Sequence, residues 1–353
     1  MEAMSAAGHE VRGLDSLSPA VHDGRPAYIA DTTDLRVADI RDSAAVDDAL
    51  DGVDAVCHLA AMVGLGVSVV DLPLYADVNV TGTAVLLDAM ARRRVSRLVL
   101  SSSMVVYGEG AYECPVDGGV RPLPRSAADL ETGVFEPRCP MCDSALSWSC
   151  VTEDAALDPR NAYATSKVAQ EHLAANWARL TGANAVALRY HNVYGPRMPR
   201  DTPYSGVAAI FRSCLENGVP PLVFEDGGQC RDFVHVRDVA WCNVLALAAT
   251  FAGGPAAGTL RAYNVASGTP HTVREMASAL AVEFGGQIEP KVTGDYRLGD
   301  VRHIVASPQA ASRDLGFAAK VGFAEGMAEF AHAPLRAPAA ASHPDATFPP
   351  PGA

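Results

Sequence analysis

Tyr163 and Lys167 stand four residues apart in NAYATSKVAQEHLAANWARL, a stretch with helical periodicity, so they share one face one turn apart. A phenol with an ordinary pKa of about 10 is a poor base near neutrality. An adjacent ammonium favours its phenolate and makes the pair a device for moving protons. Upstream, Ser103 closes the apolar run LVLSSS, where it can hydrogen-bond a reacting hydroxyl or carbonyl. A second constellation is made of sulfur. Cys139 and Cys142 form a C-x-x-C knuckle and Cys114 offers a third thiolate, which suits a tetrahedral zinc. The fourth ligand stays open between Asp117 and Cys150, with plain reduced thiols as the alternative.

These groups need strands and helices to aim them. LRVADI, SAAVDDAL, DAVCHLAA, NVTGTAVLLDAMARR and SRLVLSSS alternate short apolar runs with helical patterns, which predicts an α/β fold with a doubly wound parallel sheet. Ligands of such sheets sit at the carboxyl ends of the strands, where Ser103 falls. From about residue 109 to 157 the rhythm breaks into a Pro-, Gly- and Cys-containing insertion, long enough to be functional or stapled by a metal. Beyond NAVALRY the segments become mixed. We therefore expect a first domain over 1–190, a smaller α/β substrate lobe over 191–332, and a disordered Pro- and Ala-rich tail over 333–353.

With 353 residues, 49% hydrophobic and 20% charged, the chain can bury a large core. A net charge of −13 opposes binding to nucleic acid or to an anionic membrane and leaves small-molecule chemistry as the favoured class. The longest apolar stretch, from Val244, is too short to span a bilayer, and the start lacks the pattern of a signal peptide. A cytoplasmic protein is expected, with its eight cysteines as thiols or metal ligands.

Together, SSSMVVYG, YATSK and LRYHNVYGPR resemble the extended short-chain dehydrogenase/reductases of the nucleotide-sugar epimerase/dehydratase family, over about Gly8 to Phe330. The resemblance implies that Tyr163 is the acid/base, Lys167 its electrostatic partner and ribose ligand, and Ser103 the hydroxyl partner of the sugar. It implies NAD as cofactor, with Asp15 on the adenosine ribose, Asp39 and Ile40 near the adenine, and Leu59, Ala60 and Ala61 lining the site. Asn192 and Arg231 would meet the nucleotide diphosphate, with Arg297 and Arg302 as further candidates. MEAMSAAGHEVRGLD reads as a helix end, a glycine stop and a second strand, so a Rossmann-like sheet lacking its first strand and glycine-rich turn is expected.

Dehydratases of this family carry an Asp-Glu pair where Met104 and Val105 stand, so elimination of water is disfavoured. The insertion resembles that of dTDP-L-rhamnose 4-epimerases, in which a histidine occupies the place of Asp117 and a glycine that of Asp143. The implied activity is an NAD-dependent nucleotide-sugar 4-epimerase acting on a dTDP-6-deoxyhexose such as dTDP-L-rhamnose. A sugar-nucleotide reductase or dehydrogenase, and a non-catalytic nucleotide-binding member, are the alternatives. A homodimer and a structural zinc are expected with it.

Overall fold

The computed structural model describes residues 1–19, 21–22, 24–30, 32–64, 69–200, 206–254 and 256–336. The chain opens with α1 (Glu2–Ala6), the strands β1 (Gly13–Asp15) and β2 (Leu35–Val37), α2 (Ser43–Ala49) and β3 (Val56–His58). Next, α3 (Leu72–Tyr75) runs through a π-helical turn, Ala76–Thr81, into α4 (Gly82–Arg93), which feeds β4 (Arg97–Ser103). The insertion holds β5 (Ala111–Cys114), β6 (Gly118–Val120), α5 (Ala127–Glu131) and β7 (Ser147–Ser149). The long α6 (Ala162–Thr181) leads to β8 (Asn184–Tyr190) and β9 (Asn192–Tyr194). Then come α7 (Val207–Glu216), β10 (Leu222–Val223), β11 (Cys230–His235), α8 (Val236–Phe251) and β12 (Thr259–Val265). The chain continues through β13 (Pro270–Thr272), α9 (Val273–Glu283), β14 (Lys291–Val292), α10 (Gln309–Leu315) and α11 (Phe323–His332).

The central sheet is parallel, in the order β12-β8-β4-β3. Its strands are buried on both faces. Leu98 and Leu100 of β4 pack with α2, α4 and α6 through Val46, Leu86, Met90 and Trp177, while Val99 packs the other way with Val239, Cys242 and Ala246 of α8. This is the expected doubly wound arrangement. β1 and β2 pair with each other, parallel, in a separate two-stranded sheet, and neither is hydrogen-bonded to β3. α6 begins where Asn161 Oδ1 accepts the Ala164 amide and ends at Gly182, whose φ of 71° suits a residue without Cβ.

The second lobe is built from β9, β11 and β13 with α7, α9 and α11 around Phe211, Phe233, Met276 and Phe330. Residue 190 does not divide the two parts cleanly. β12 returns to hydrogen-bond β8 along its whole length, and α8 and α10 cover the central sheet, so 236–265 belongs with the first layer. Of the expected tail, 337–353 lies outside the described residues. Ala333 to Arg336 are placed, with Ala333 buried and Arg336 bridged to Pro199.

Candidate active site

Three strand ends and one helix converge on a cavity of 280 Å³. β3 leads to Leu59 and Ala61, β4 delivers Ser101, Ser102 and Ser103, and β8 delivers Tyr190 followed by His191 and Asn192. The first turns of α6 add Tyr163 and Lys167. Beyond the strand ends the wall is apolar, with Val193, Val207, Ala208 and Phe233. The loop after β3 is fixed by Asn79, which accepts from the Met62 amide, donates to its carbonyl, and donates to Ser166 on α6.

Tyr163 is half-buried and hydrogen-bonded to Ser103. Burial pushes its pKa up to about 12, against the smaller opposite pull of the Ser103 bond. Lys167 Nζ lies 5.8 Å from the Tyr163 ring centroid and donates to the Ser101 carbonyl at 2.8 Å, which anchors it to the strand end. Burial brings the Lys167 pKa down to about 8, opposed by the Glu171 carboxylate.

Glu171 lies behind the cavity wall and is a supporting residue that motif reading missed. It follows Tyr163 and Lys167 at the same four-residue spacing, so all three share one face of α6. Its carboxylate is buried, accepts from Ser102 Oγ, and meets Arg189 of β8 through two bonds of 2.7 and 2.9 Å. Arg189 also donates to Tyr107 Oη and the Glu153 carbonyl, and Tyr107 donates to Asn264. The available signal was a carboxylate on the buried stripe of a helix, which requires a partner.

The structure distributes the other expected residues unevenly. Asn192 lines the cavity, and its Oδ1 is buried without a hydrogen-bond partner among the described residues, as fits an acceptor awaiting a ligand. Arg231, Arg297 and Arg302 are not in the cavity wall. The Arg231 guanidinium donates to the carbonyls of Cys230, Val301 and Arg302. Arg302 is buried among Glu136, Glu225 and Asp226. Arg297 lies over the Phe224 ring at 4.9 Å. Apart from the Cys230 carbonyl, those partners come from distant segments, so the sequence pattern concealed them.

For the cofactor, Asp15 stands exposed at the carboxyl end of β1, with Oδ1 accepting the Leu17 amide. Asp39 is engaged by Arg41, whose guanidinium beside it holds the carboxyl below its usual range. Ile40 packs on the first turn of α4, where a Cβ on Gly82 would come within 2.5 Å of its Cγ2. Leu59 and Ala61 sit at the cavity mouth with Lys167. These are the positions expected to meet a dinucleotide. For its pyrophosphate, no glycine-rich turn appears at a strand end among the described residues.

In the insertion, Cys114, Asp117, Cys139 and Cys142 gather with all their donor atoms within 4.8 Å of one another. Cys150 is outside this cluster.

The profile of the NAD dependent epimerase/dehydratase family matches residues 1–127 and 147–266. The chain belongs to this family. A dTDP-L-rhamnose 4-epimerase of Burkholderia thailandensis is 34% identical over 93% of the chain and 89% of its own length. A UDP-glucose 4-epimerase of Mycolicibacterium smegmatis is 32% identical over 93% of the chain and 92% of its own length. Among solved structures, the family's Thermus thermophilus UDP-glucose 4-epimerase, in complex with NAD, superposes with a TM-score of 0.71 at 30% identity, covering 94% of this chain and 92% of that one. The Thermotoga maritima enzyme with UDP-glucose gives 0.73 at 26% identity, with the same two shares covered. The family is thus that of NAD-dependent nucleotide-sugar 4-epimerases, and 128–146, the middle of the insertion, falls between the two matched blocks. Among the described residues, no helix is long and apolar enough to cross a membrane.

Proposed function

We propose that the chain is an NAD-dependent 4-epimerase of a dTDP-6-deoxyhexose such as dTDP-L-rhamnose. The observation that carries this reading is the convergence of Ser103, Tyr163 and Lys167 on one cavity, next to Met104 and Val105, which cannot transfer protons. Bound NAD supplies a reversible hydride acceptor for carbon 4 of the sugar. Tyr163 takes the proton from the 4-hydroxyl and returns it, Ser103 holds the same oxygen, and Lys167 holds the nicotinamide ribose. Asp15, with Leu59, Ala60 and Ala61, completes the cofactor's contacts, and Asn192 meets the nucleotide sugar. The apolar wall of Val193, Val207, Ala208 and Phe233 favours a methyl group at carbon 6 over a hydroxymethyl, in keeping with the 34% identical relative.

The test is turnover of dTDP-L-rhamnose deuterated at carbon 4, with UDP-glucose as the comparison. Product that keeps its deuterium without added NADH supports epimerisation. A stoichiometric requirement for NADH, or loss of label to solvent, points instead to a reductase. We further place the protein in the cytoplasm as a homodimer, in keeping with its free cysteines. A structural zinc on Cys114, Cys139 and Cys142 would staple the insertion; the proton relay needs no metal.

A further inference from the structure

β5 ends at Cys114 and turns through Pro115 and Val116 to Asp117, with the Val116 amide donating to Cys114 Sγ at 3.4 Å. Facing it, the turn from Cys139 to Cys142 is closed by the Asp143 amide donating to the Cys139 carbonyl at 2.9 Å. Asp143 takes a positive φ of 58°, which carries the chain away behind the Cys142 sulfur. C-P-x-D and C-P-x-C thus form two opposed knuckles.

Their spacing fits one ion. The Cys114 and Cys142 sulfurs are 3.5 Å apart, and Asp117 Oδ2 lies 3.4 Å from Cys114 Sγ and 3.2 Å from Cys139 Sγ. A tetrahedron with Zn–S of about 2.3 Å and Zn–O of about 2.0 Å has edges of about 3.8 Å between sulfurs and about 3.5 Å from sulfur to oxygen. These three pairs would open by only a few tenths of an ångström to receive it, and all four donors already lie within 4.8 Å of one another. Cys114 and Cys139 are buried, and all four positions are filled by protein, which is the pattern of a structural rather than a catalytic site.

The knuckles are tied to the second lobe. Tyr112, two residues before Cys114, accepts the His303 amide on its hydroxyl at 3.1 Å. Glu136, three before Cys139, takes the Arg302 guanidinium at 2.6 and 2.8 Å and the His303 ring at 2.9 Å. Because His303 Nδ1 accepts from the Cys230 amide, Nε2 carries the proton and donates to Glu136. Glu109 accepts the Arg302 amide at 2.8 Å. The carbonyls of Val301 and Arg302 then fix the Arg231 guanidinium.

We infer that Asp117 completes a closed three-cysteine, one-aspartate site for a zinc-class dication, and that the filled site latches residues 301–303, and with them Arg231, onto the insertion. This rests on the zinc reading above and adds to it the fourth ligand and the consequence of occupancy. Each thiol that ligates gives its proton to solvent, so filling the site releases protons and strengthens as pH rises.

The experiment uses the full chain, in three arms. Elemental analysis, followed by Co²⁺ substitution, should give one metal per chain and the sulfur-to-cobalt absorption of a tetrahedral thiolate site; no metal and no such absorption overturns the zinc reading itself. Competition against a chelator should show Asp117→Ala weakened at least tenfold and Asp117→Cys restored. Equal retention by Asp117→Ala overturns the ligand assignment. Amide exchange at Arg302 and His303 should rise at least tenfold when the metal is stripped, while exchange in β4 and β8 stays unchanged. Unchanged exchange at Arg302 and His303 in the stripped protein overturns the latch.

Discussion

Glu171 and Arg189 form a buried, two-bonded ion pair directly beneath the face of α6 that presents Tyr163 and Lys167. Both side chains are almost fully removed from water, so neither charge tolerates loss of the other. Glu171→Gln should destabilise the fold by about 3–5 kcal/mol, the usual effect of stranding one member of a buried pair. Urea unfolding of the variant measures it, and a loss below about 1 kcal/mol would contradict the pairing.

Tyr163→Phe keeps the ring and removes the group proposed to accept the proton. Epimerisation should fall by at least about 10³-fold, with sugar-nucleotide affinity nearly unchanged. Ser103→Ala removes one hydrogen bond to the same oxygen and should cost about 2–4 kcal/mol of transition-state stabilisation. Steady-state rates and calorimetric binding separate the two effects; wild-type turnover by the phenylalanine variant rules out the assigned role.

Lys167 makes stability depend on pH in a defined window. Its pKa falls from 10.5 in the unfolded chain to about 8 in the fold because the ammonium is buried. Between those values the unfolded chain binds more protons, so stability from this group rises with pH across the window. Below about pH 8 the full penalty applies, about 3 kcal/mol from the size of the shift. Relative to the wild type, Lys167→Met should therefore gain stability near pH 7 and lose that advantage progressively from pH 8 to 10.5. Denaturation of both proteins across this range is the check, and a difference independent of pH would falsify the assignment.

Gly108 follows the turn that carries Ser103 and has a φ of 67°; a Cβ there would lie 2.5 Å from the Asp158 carbonyl oxygen. That neighbour is backbone and cannot swing aside. Gly108→Ala should destabilise by about 1–3 kcal/mol, seen as a lower melting temperature. An unchanged melt would mean that the 158 segment moves freely.

What could be read from the sequence was local. Tyr163 and Lys167 announce themselves by a four-residue spacing, and Ser103 by closing an apolar strand, so the three residues that meet in the cavity needed no long-range information. The alternation of strand and helix gave the doubly wound sheet for the same reason. The surroundings of Arg231 and Arg302 were not legible because their partners, the Val301 carbonyl and the carboxylates of Glu136, Glu225 and Asp226, lie in other segments. β12 looked like part of the second lobe because an apolar run does not say which strand it pairs with. Asp117 and Cys150 looked alike beside the three cysteines because spacing does not show that only Asp117 folds into their cluster.

The register that sets Ser103 opposite Tyr190 joins two strands separated in sequence by the entire insertion and α6. Parallel pairing of this kind has no local nucleus: loop closure must come first, and such topologies assemble slowly. The cavity lies where β4 and β8 end, so it exists only after the strands have zipped to their last residues. Partly folded chains would hold Tyr163 and Lys167 on a formed helix yet have no floor for a ligand to rest on. Ligands that bind here act only on completed molecules, and slow unfolding by bracing the pairing that is last to form.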